Sequence, residues 1–155
     1  MAQDGSRKPL SENVGYVLKQ AQMALHNAMD RALRSQGLTV SQYSVLELLS
    51  RTPGQTNAQL ARGAFVTAQS MNDVLRGLQS RGLVDRPSIA ASGRSRPTHL
   101  TAQGEQTIRA ARQALQSVDL AMDAIAEDPA HEQLLAGLRA VIAALEEGQP
   151  TEPDD

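Results

Sequence analysis

Thr67, Gln69, Ser70, Asn72, Asp73 and Arg76 crowd one short stretch, TAQSMNDVLR. Amide, hydroxyl, carboxylate and guanidinium groups at this density suit hydrogen-bond recognition. A glutamine amide matches N6 and N7 of adenine, and an arginine fork matches O6 and N7 of guanine or a phosphate. A second cluster lies in RPSIAASGRSRPTHLT, where Arg86, Arg94 and Arg96 stand among small polar residues between two prolines. Chemistry of the bond-making kind is missing. His26, His99 and His131 are scattered, and no two share a metal-ligand spacing such as HExxH. The chain has no cysteine, no GxSxG and no Walker A motif, and the Glu146–Glu147 pair belongs with the acidic tail. No catalytic residue, metal or cofactor is therefore expected, and the chain is not expected to be an enzyme. His99 alternates with Leu100 and is placed either at a phosphate or in solvent.

Charge mapped along the chain supports an anion-binding middle. Residues 51–112 hold nine arginines against three acidic residues, a net of +6, whereas the remainder holds six basic and fourteen acidic residues, a net of −8. The basic stretch contains no lysine. Arginine's planar fork suits phosphate oxygens better than an ammonium does, and a basic middle in an acidic chain points to a localised anion-binding face. The total of 155 residues, with 41% hydrophobic, allows one domain with helical extensions. No apolar run is long enough to span a membrane, and the first residues lack the apolar core of a secretory signal. A cytoplasmic protein, in the bacterial cytoplasm or nucleoid, is expected.

The elements that must position these side chains follow from periodicity. Val14, Val17, Leu18, Ala21, Leu25, Ala28, Met29, Ala32 and Leu33 recur at three- and four-residue steps, so 11–36 is predicted as one helix, capped by Ser11 and ended by Gly37. Thr39 and Gln42 form a capping box for a second helix, and Thr56 and Gln59 form another for a short third. Thr67 caps a helix that runs to Gly82, with Ala68, Met71, Val74, Leu75 and Leu78 on one side. Leu83–Arg86 and Thr98–Thr101 are predicted strands joined by the arginine-bearing loop. Thr101 caps a long helix, an Asp-Pro pair breaks it at 128–129, and Leu134 to Leu145 mark a last one. The predicted fold class is mainly α with a small β-hairpin: a winged helix-turn-helix lobe plus N- and C-terminal dimerisation helices. The predicted organisation is a flexible 1–10, a dimerisation helix over 11–37, the DNA-binding lobe over 38–101, linker and dimerisation helices over 102–146, and a disordered acidic tail over 147–155. The arginine loop is then the wing, and a wing-tip arginine can enter a narrow, electronegative minor groove.

Residues 38–104 resemble a MarR-family regulator. The resemblance rests on the Leu-Thr-x-x-Gln opening at Leu38, the Gln-Leu-Ala at Gln59, the Leu-x-x-Arg-Gly-Leu-Val-x-Arg run from Leu78 to Arg86, and the Leu-Thr-x-x-Gly from Leu100 to Gly104. It implies a homodimer with interlocking terminal helices and one lobe per subunit, controlling transcription, often by repression, with release by a small and frequently aromatic effector. The helix periodicity supports a dimer independently, because the terminal helices carry more apolar faces than one lobe can cover.

On that reading Gln69 and Ser70, near the helix start, enter the major groove, with Asn72, Asp73 and Arg76 beside them. Thr67 is a cap first and a phosphate contact second. Arg94 is the leading wing contact and Arg96 the next, while Arg86 pairs equally well with Asp85 or a helix end. Two residues depart from the family pattern. Asp73 stands where relatives often carry a basic residue, and either Arg76 neutralises it or it accepts a hydrogen bond from cytosine. Ser92 replaces the aspartate that relatives usually place before the wing arginine. In relatives the effector lies between the long helices and the lobe, which makes Tyr16, His26 and Tyr43 the candidate pocket residues. Double-stranded DNA, a second copy of the chain and a small-molecule effector are the expected partners, and no membrane is expected. The alternative is a winged-helix protein-interaction module without a specific operator.

Overall fold

The computed structural model describes residues 9–86 and 97–146. The expected flexible N-terminus, the wing tip with Arg94 and Arg96, and the expected acidic tail lie outside the described residues. The chain divides into two compact units with the boundary after Val118.

In the first unit, a short 3-10 turn at Leu10–Glu12 leads into α1, Val14–Leu33. Its cap is Asn13, whose side chain accepts from the Tyr16 N–H at 2.9 Å, and not Ser11 as the sequence suggested. The 3-10 turn consumes Ser11, so the first polar side chain with extended backbone is Asn13. Only the end of α1 enters the core: Leu33 is buried and Met29 and Ala32 pack beside it. Val14, Tyr16, Val17, Leu18, Met23 and Leu25 remain exposed in the single chain. Helix α2 is Val40–Arg51, opened by the complete Thr39–Gln42 capping box, and α3 is Asn57–Gly63, opened by the Thr56–Gln59 box. Helix α4 is Ala68–Ser80, capped by Thr67.

The hairpin is shorter than periodicity suggested. Strands β1, Val84–Asp85, and β2, His99–Leu100, pair antiparallel with Val84 opposite Leu100 and Asp85 opposite His99. A third segment supports them: the Thr98 N–H donates to the Gln55 carbonyl and the Gly54 N–H to the Thr98 carbonyl, both at 3.0 Å. The α2–α3 turn therefore doubles as an edge for the wing base, and Gly54 supplies the positive φ that this turn needs. Helix α5, Ala102–Ala126, begins here and buries Gly104, Ile108, Ala111 and Leu115. One core joins Leu33, Val45, Leu46, Leu49, Leu60, Met71, Leu75, Leu78, Leu83, Ile108 and Leu115. Every helix of the lobe sends one apolar stripe into it, which is what the three- and four-residue spacing requires.

The second unit holds the remainder of α5 and α6, His131–Glu146. Asp128 terminates the turn between them, its side chain accepting from the Ala130 N–H at 2.7 Å. Leu120, Met122, Ile125, Leu134, Ile142 and Leu145 are all exposed. No helix among the described residues is long and apolar enough to cross a membrane.

Candidate nucleic-acid interface

Helix α4 has two unlike sides. Met71, Leu75 and Leu78 are fully buried, while Gln69, Ser70, Asn72, Asp73, Arg76 and Ser80 are exposed. Gln69, Asn72 or Asp73, and Arg76 follow one another at helical steps and so share one outward face. The helix start is held by its own cap and by the first residue of α3. Thr67 Oγ1 accepts from the Ser70 N–H at 3.1 Å and donates to Ser70 Oγ at 2.9 Å. Asn57 Nδ2, at the start of α3, donates to the Ala68 carbonyl at 3.1 Å. With its cap satisfied and its core face locked, α4 presents the polar side chains on a rigid rod, as groove recognition requires. The hydroxyl of Thr67 serves the helix, in keeping with its expected role as a cap.

Asp73 and Arg76 form an ion pair with each other, which is the neutralising arrangement open in the sequence. Both side chains are largely exposed. The pair leaves Gln69, Ser70 and Asn72 as the uncharged donors and acceptors at the leading end of the helix. Arg86 is half-buried at the end of β1.

The arginines that make the middle of the chain basic are used differently than a count implies. Arg112 bridges α5 to α2: Nε donates to Glu47 at 2.9 Å and a terminal nitrogen to Ser50 Oγ at 2.9 Å. Arg51 binds the same Glu47 at 2.7 Å. Arg81 donates to the Gly37 carbonyl at 2.9 Å, tying the end of α4 to the turn before α2, and Arg109 pairs with Glu105 on α5. Arg62, on α3, makes no side-chain ion pair or hydrogen bond among the described residues. Sequence spacing could not reveal the roles of Arg112 and Arg81, because Glu47 and Gly37 lie far from them in the chain.

Glu47 is 17% exposed and sits between two guanidinium groups. Burial pushes its carboxyl up, but hydrogen bonds and charge from Arg112 and Arg51 outweigh it and hold the group below the ordinary carboxylate value. A depressed folded value means that the stabilisation is fully present above the unfolded value and fades as pH falls through the folded one. Glu47→Gln is expected to lower stability by about 1 kcal/mol at neutral pH, discounted for the exposed arginine ends. That deficit should shrink below about pH 4.3, the ordinary glutamate value. Urea unfolding of both proteins from pH 7 to 3 checks this, and a deficit constant across the range would refute the charged clamp.

Beside this clamp is a cleft of about 510 Å³. Leu49, Leu100 and Ile108 give it apolar walls, and Ser50, His99, Glu105, Arg109 and Arg112 give it polar ones. Tyr16, His26 and Tyr43 do not line it. Tyr16 and His26 are exposed on α1, and ten residues at helical rise put them roughly 15 Å apart along its axis. Tyr43 is half-buried on α2, packed against the core.

The model of the MarR family matches residues 36–95. The HTH-type transcriptional repressor Rv2887 of Mycobacterium tuberculosis is 41% identical over 106 residues, which are 68% of this chain and 76% of that protein. Its crystal structure in complex with DNA superposes with a TM-score of 0.64 at 33% identity, covering 83% of this chain and 96% of the other. Its complex with salicylic acid gives 0.60 at 35% identity, covering 92% and 97%. The transcriptional repressor CouR, bound to a 23-mer DNA duplex, gives a TM-score of 0.73 at 28% identity, covering 86% of this chain and 94% of the other.

Proposed function

This chain belongs to the MarR family of transcriptional regulators, and from that premise we propose that it is a repressor that binds an inverted-repeat operator as a homodimer and leaves it when a small aromatic effector binds. The observation that carries the DNA arm is the outward face of α4, polar from Gln69 to Arg76, fixed by the Thr67 cap and backed by the buried Met71, Leu75 and Leu78. Gln69, Ser70 and Asn72 read base edges in the major groove. Arg76 is shared between Asp73 and the DNA, and Arg94 and Arg96 on the wing serve the adjacent minor groove or its phosphates. A docking module would want apolar side chains where α4 offers amides and hydroxyls, which disfavours that alternative.

The dimer arm is supported by the exposed apolar side chains of α1 and, separately, of the second unit. Such residues ask for a cover that a single chain does not supply. Two α4 helices must then stand about 34 Å apart to enter successive major grooves, so half-sites lie roughly ten base pairs apart.

The effector arm has two supports: the family relative's complex with salicylic acid, and the cleft beside Arg109 and Arg112. That cleft includes His99 and Leu100 of β2, so a bound aromatic carboxylate there acts directly on the base of the wing. It is the better candidate than a pocket of Tyr16, His26 and Tyr43, because the first two are too far apart for one small ligand within a chain.

Binding of the purified protein to fragments from its own gene neighbourhood, with unrelated DNA as competitor, tests the reading. Gln69→Ala is expected to relax preference at one or two operator positions by roughly 5- to 100-fold while leaving the fold intact. An unaltered base profile would remove Gln69 from the readout, and equal weak binding to every fragment would remove the operator. Adding salicylate to the same mixtures tests the release.

A further inference from the structure

Phe65 is 95% exposed, well beyond the next large apolar side chain, Leu145 at 67%. It is also the only non-glycine residue with positive φ among the described residues, at +56°. The other left-handed positions, 37, 54 and 82, are glycines. Phe65 closes α3: its N–H donates to the Arg62 carbonyl at 3.2 Å, and the Val66 N–H reaches back to the Ala61 carbonyl at 3.0 Å. Helix ends of this shape usually take glycine, since a Cβ meets the neighbouring carbonyl oxygen there. The chain therefore accepts backbone strain to place a phenyl ring in water, and no packing among the described residues compensates it. Strain and exposure at one residue point to a function outside the monomer.

The surroundings indicate which partner. Phe65 lies two residues before Thr67, the cap of α4, on the turn that leads the recognition helix toward DNA. Among the described residues, all other exposed large apolar side chains lie on α1 and the turn before it, on α5 or on α6. Among the described residues the ring is thus set apart along the chain from the other exposed large apolar side chains, with the exposed Arg62 and Thr67 near it in sequence, rather than belonging to an apolar stretch of the kind that docks a protein. A lone exposed ring on the turn that opens into α4, with a cation and a hydroxyl close to it in sequence, suits a nucleic-acid edge. We propose that Phe65 packs against the C5-methyl group of a thymine at the margin of each half-site, adding apolar readout to the hydrogen bonds of Gln69. This rests on the operator-binding reading above.

The test uses the operator duplex defined by footprinting, with each thymine replaced in turn by deoxyuridine, which deletes only the methyl group. Wild-type protein should lose roughly five- to tenfold in affinity at one thymine per half-site. Phe65→Gly removes the ring and relieves the backbone, so it should melt no lower than wild type. It should bind the unmodified operator about tenfold more weakly and be indifferent to that deoxyuridine. Unchanged affinity of Phe65→Gly, or the same deoxyuridine sensitivity in both proteins, would overturn the proposal while leaving the operator-binding reading in place. Normal DNA binding by Phe65→Gly with an altered oligomeric state in sedimentation would also overturn it, in favour of a contact with a second copy. Absence of specific binding by the wild type itself would remove both readings.

Discussion

Gly104→Ala is expected to lower the stability of the lobe by about 3 kcal/mol or more, seen as a melting temperature roughly 6–12 °C below that of the parent. A Cβ at this position would lie 2.0 Å from the Leu83 carbonyl oxygen and 3.1 Å from its carbon. Neither atom belongs to a side chain that can swing away. The same carbonyl accepts the Thr101 N–H at 3.1 Å, Thr101 Oγ1 donates to the Gly82 carbonyl at 2.6 Å, and the Gly104 N–H donates to Thr101 Oγ1 at 3.0 Å. These bonds clamp the first turn of α5 onto the base of the wing, and a methyl group fits only if the clamp opens. Gly137→Ala is the control, since nothing lies within 4 Å of its would-be Cβ. In a helix interior that change should be neutral or stabilising by up to about 1 kcal/mol. Equal melting temperatures for Gly104→Ala and its parent would mean that α5 does not approach the wing this closely.

Operator affinity is expected to fall about a thousandfold between roughly 50 and 200 mM salt. Among the described central arginines, Arg51, Arg76, Arg81, Arg86, Arg109 and Arg112 have interactions within the chain. The phosphate-facing charge is then expected chiefly from Arg62, Arg94 and Arg96, about six groups per dimer, and each neutralised phosphate contributes about −0.9 to the logarithmic salt slope. Arg94→Ala, two groups fewer per dimer, should reduce the slope from about −5 to about −3.5 and the loss to roughly a hundredfold. It should weaken operator and competitor DNA alike, without changing base preference. A slope near zero in the parent would remove the electrostatic contribution altogether. An unchanged slope in Arg94→Ala would remove the wing.

The contrast between these two experiments reflects what kind of interaction each residue makes. Thr39 with Gln42, Thr56 with Gln59, Thr67 and Thr101 were legible as caps because a cap closes within three residues of itself. The buried stripe Met71, Leu75 and Leu78 was legible because helical spacing is local. Asp73 and Arg76 were legible as a possible pair for the same reason. Ser11 misled as a cap, since a 3-10 turn before the helix moved that role to Asn13 and nothing in the local pattern marked it. The strands shrank to two residues each because their pairing depends on a partner across the loop and on the Gln55–Thr98 bridge.

By itself, then, the sequence determined the helices, the caps of α2 to α5, the polar outer face of α4 and membership of a winged-helix family, because these arise from residues one to four positions apart or from motifs in a set order. Tertiary structure alone decided that Arg112 reaches Glu47 and Arg81 the Gly37 carbonyl, why position 104 has no room for a side chain, and that Phe65 faces solvent from a strained turn. Each of these depends on atoms brought together across the fold, by packing that periodicity requires but does not place.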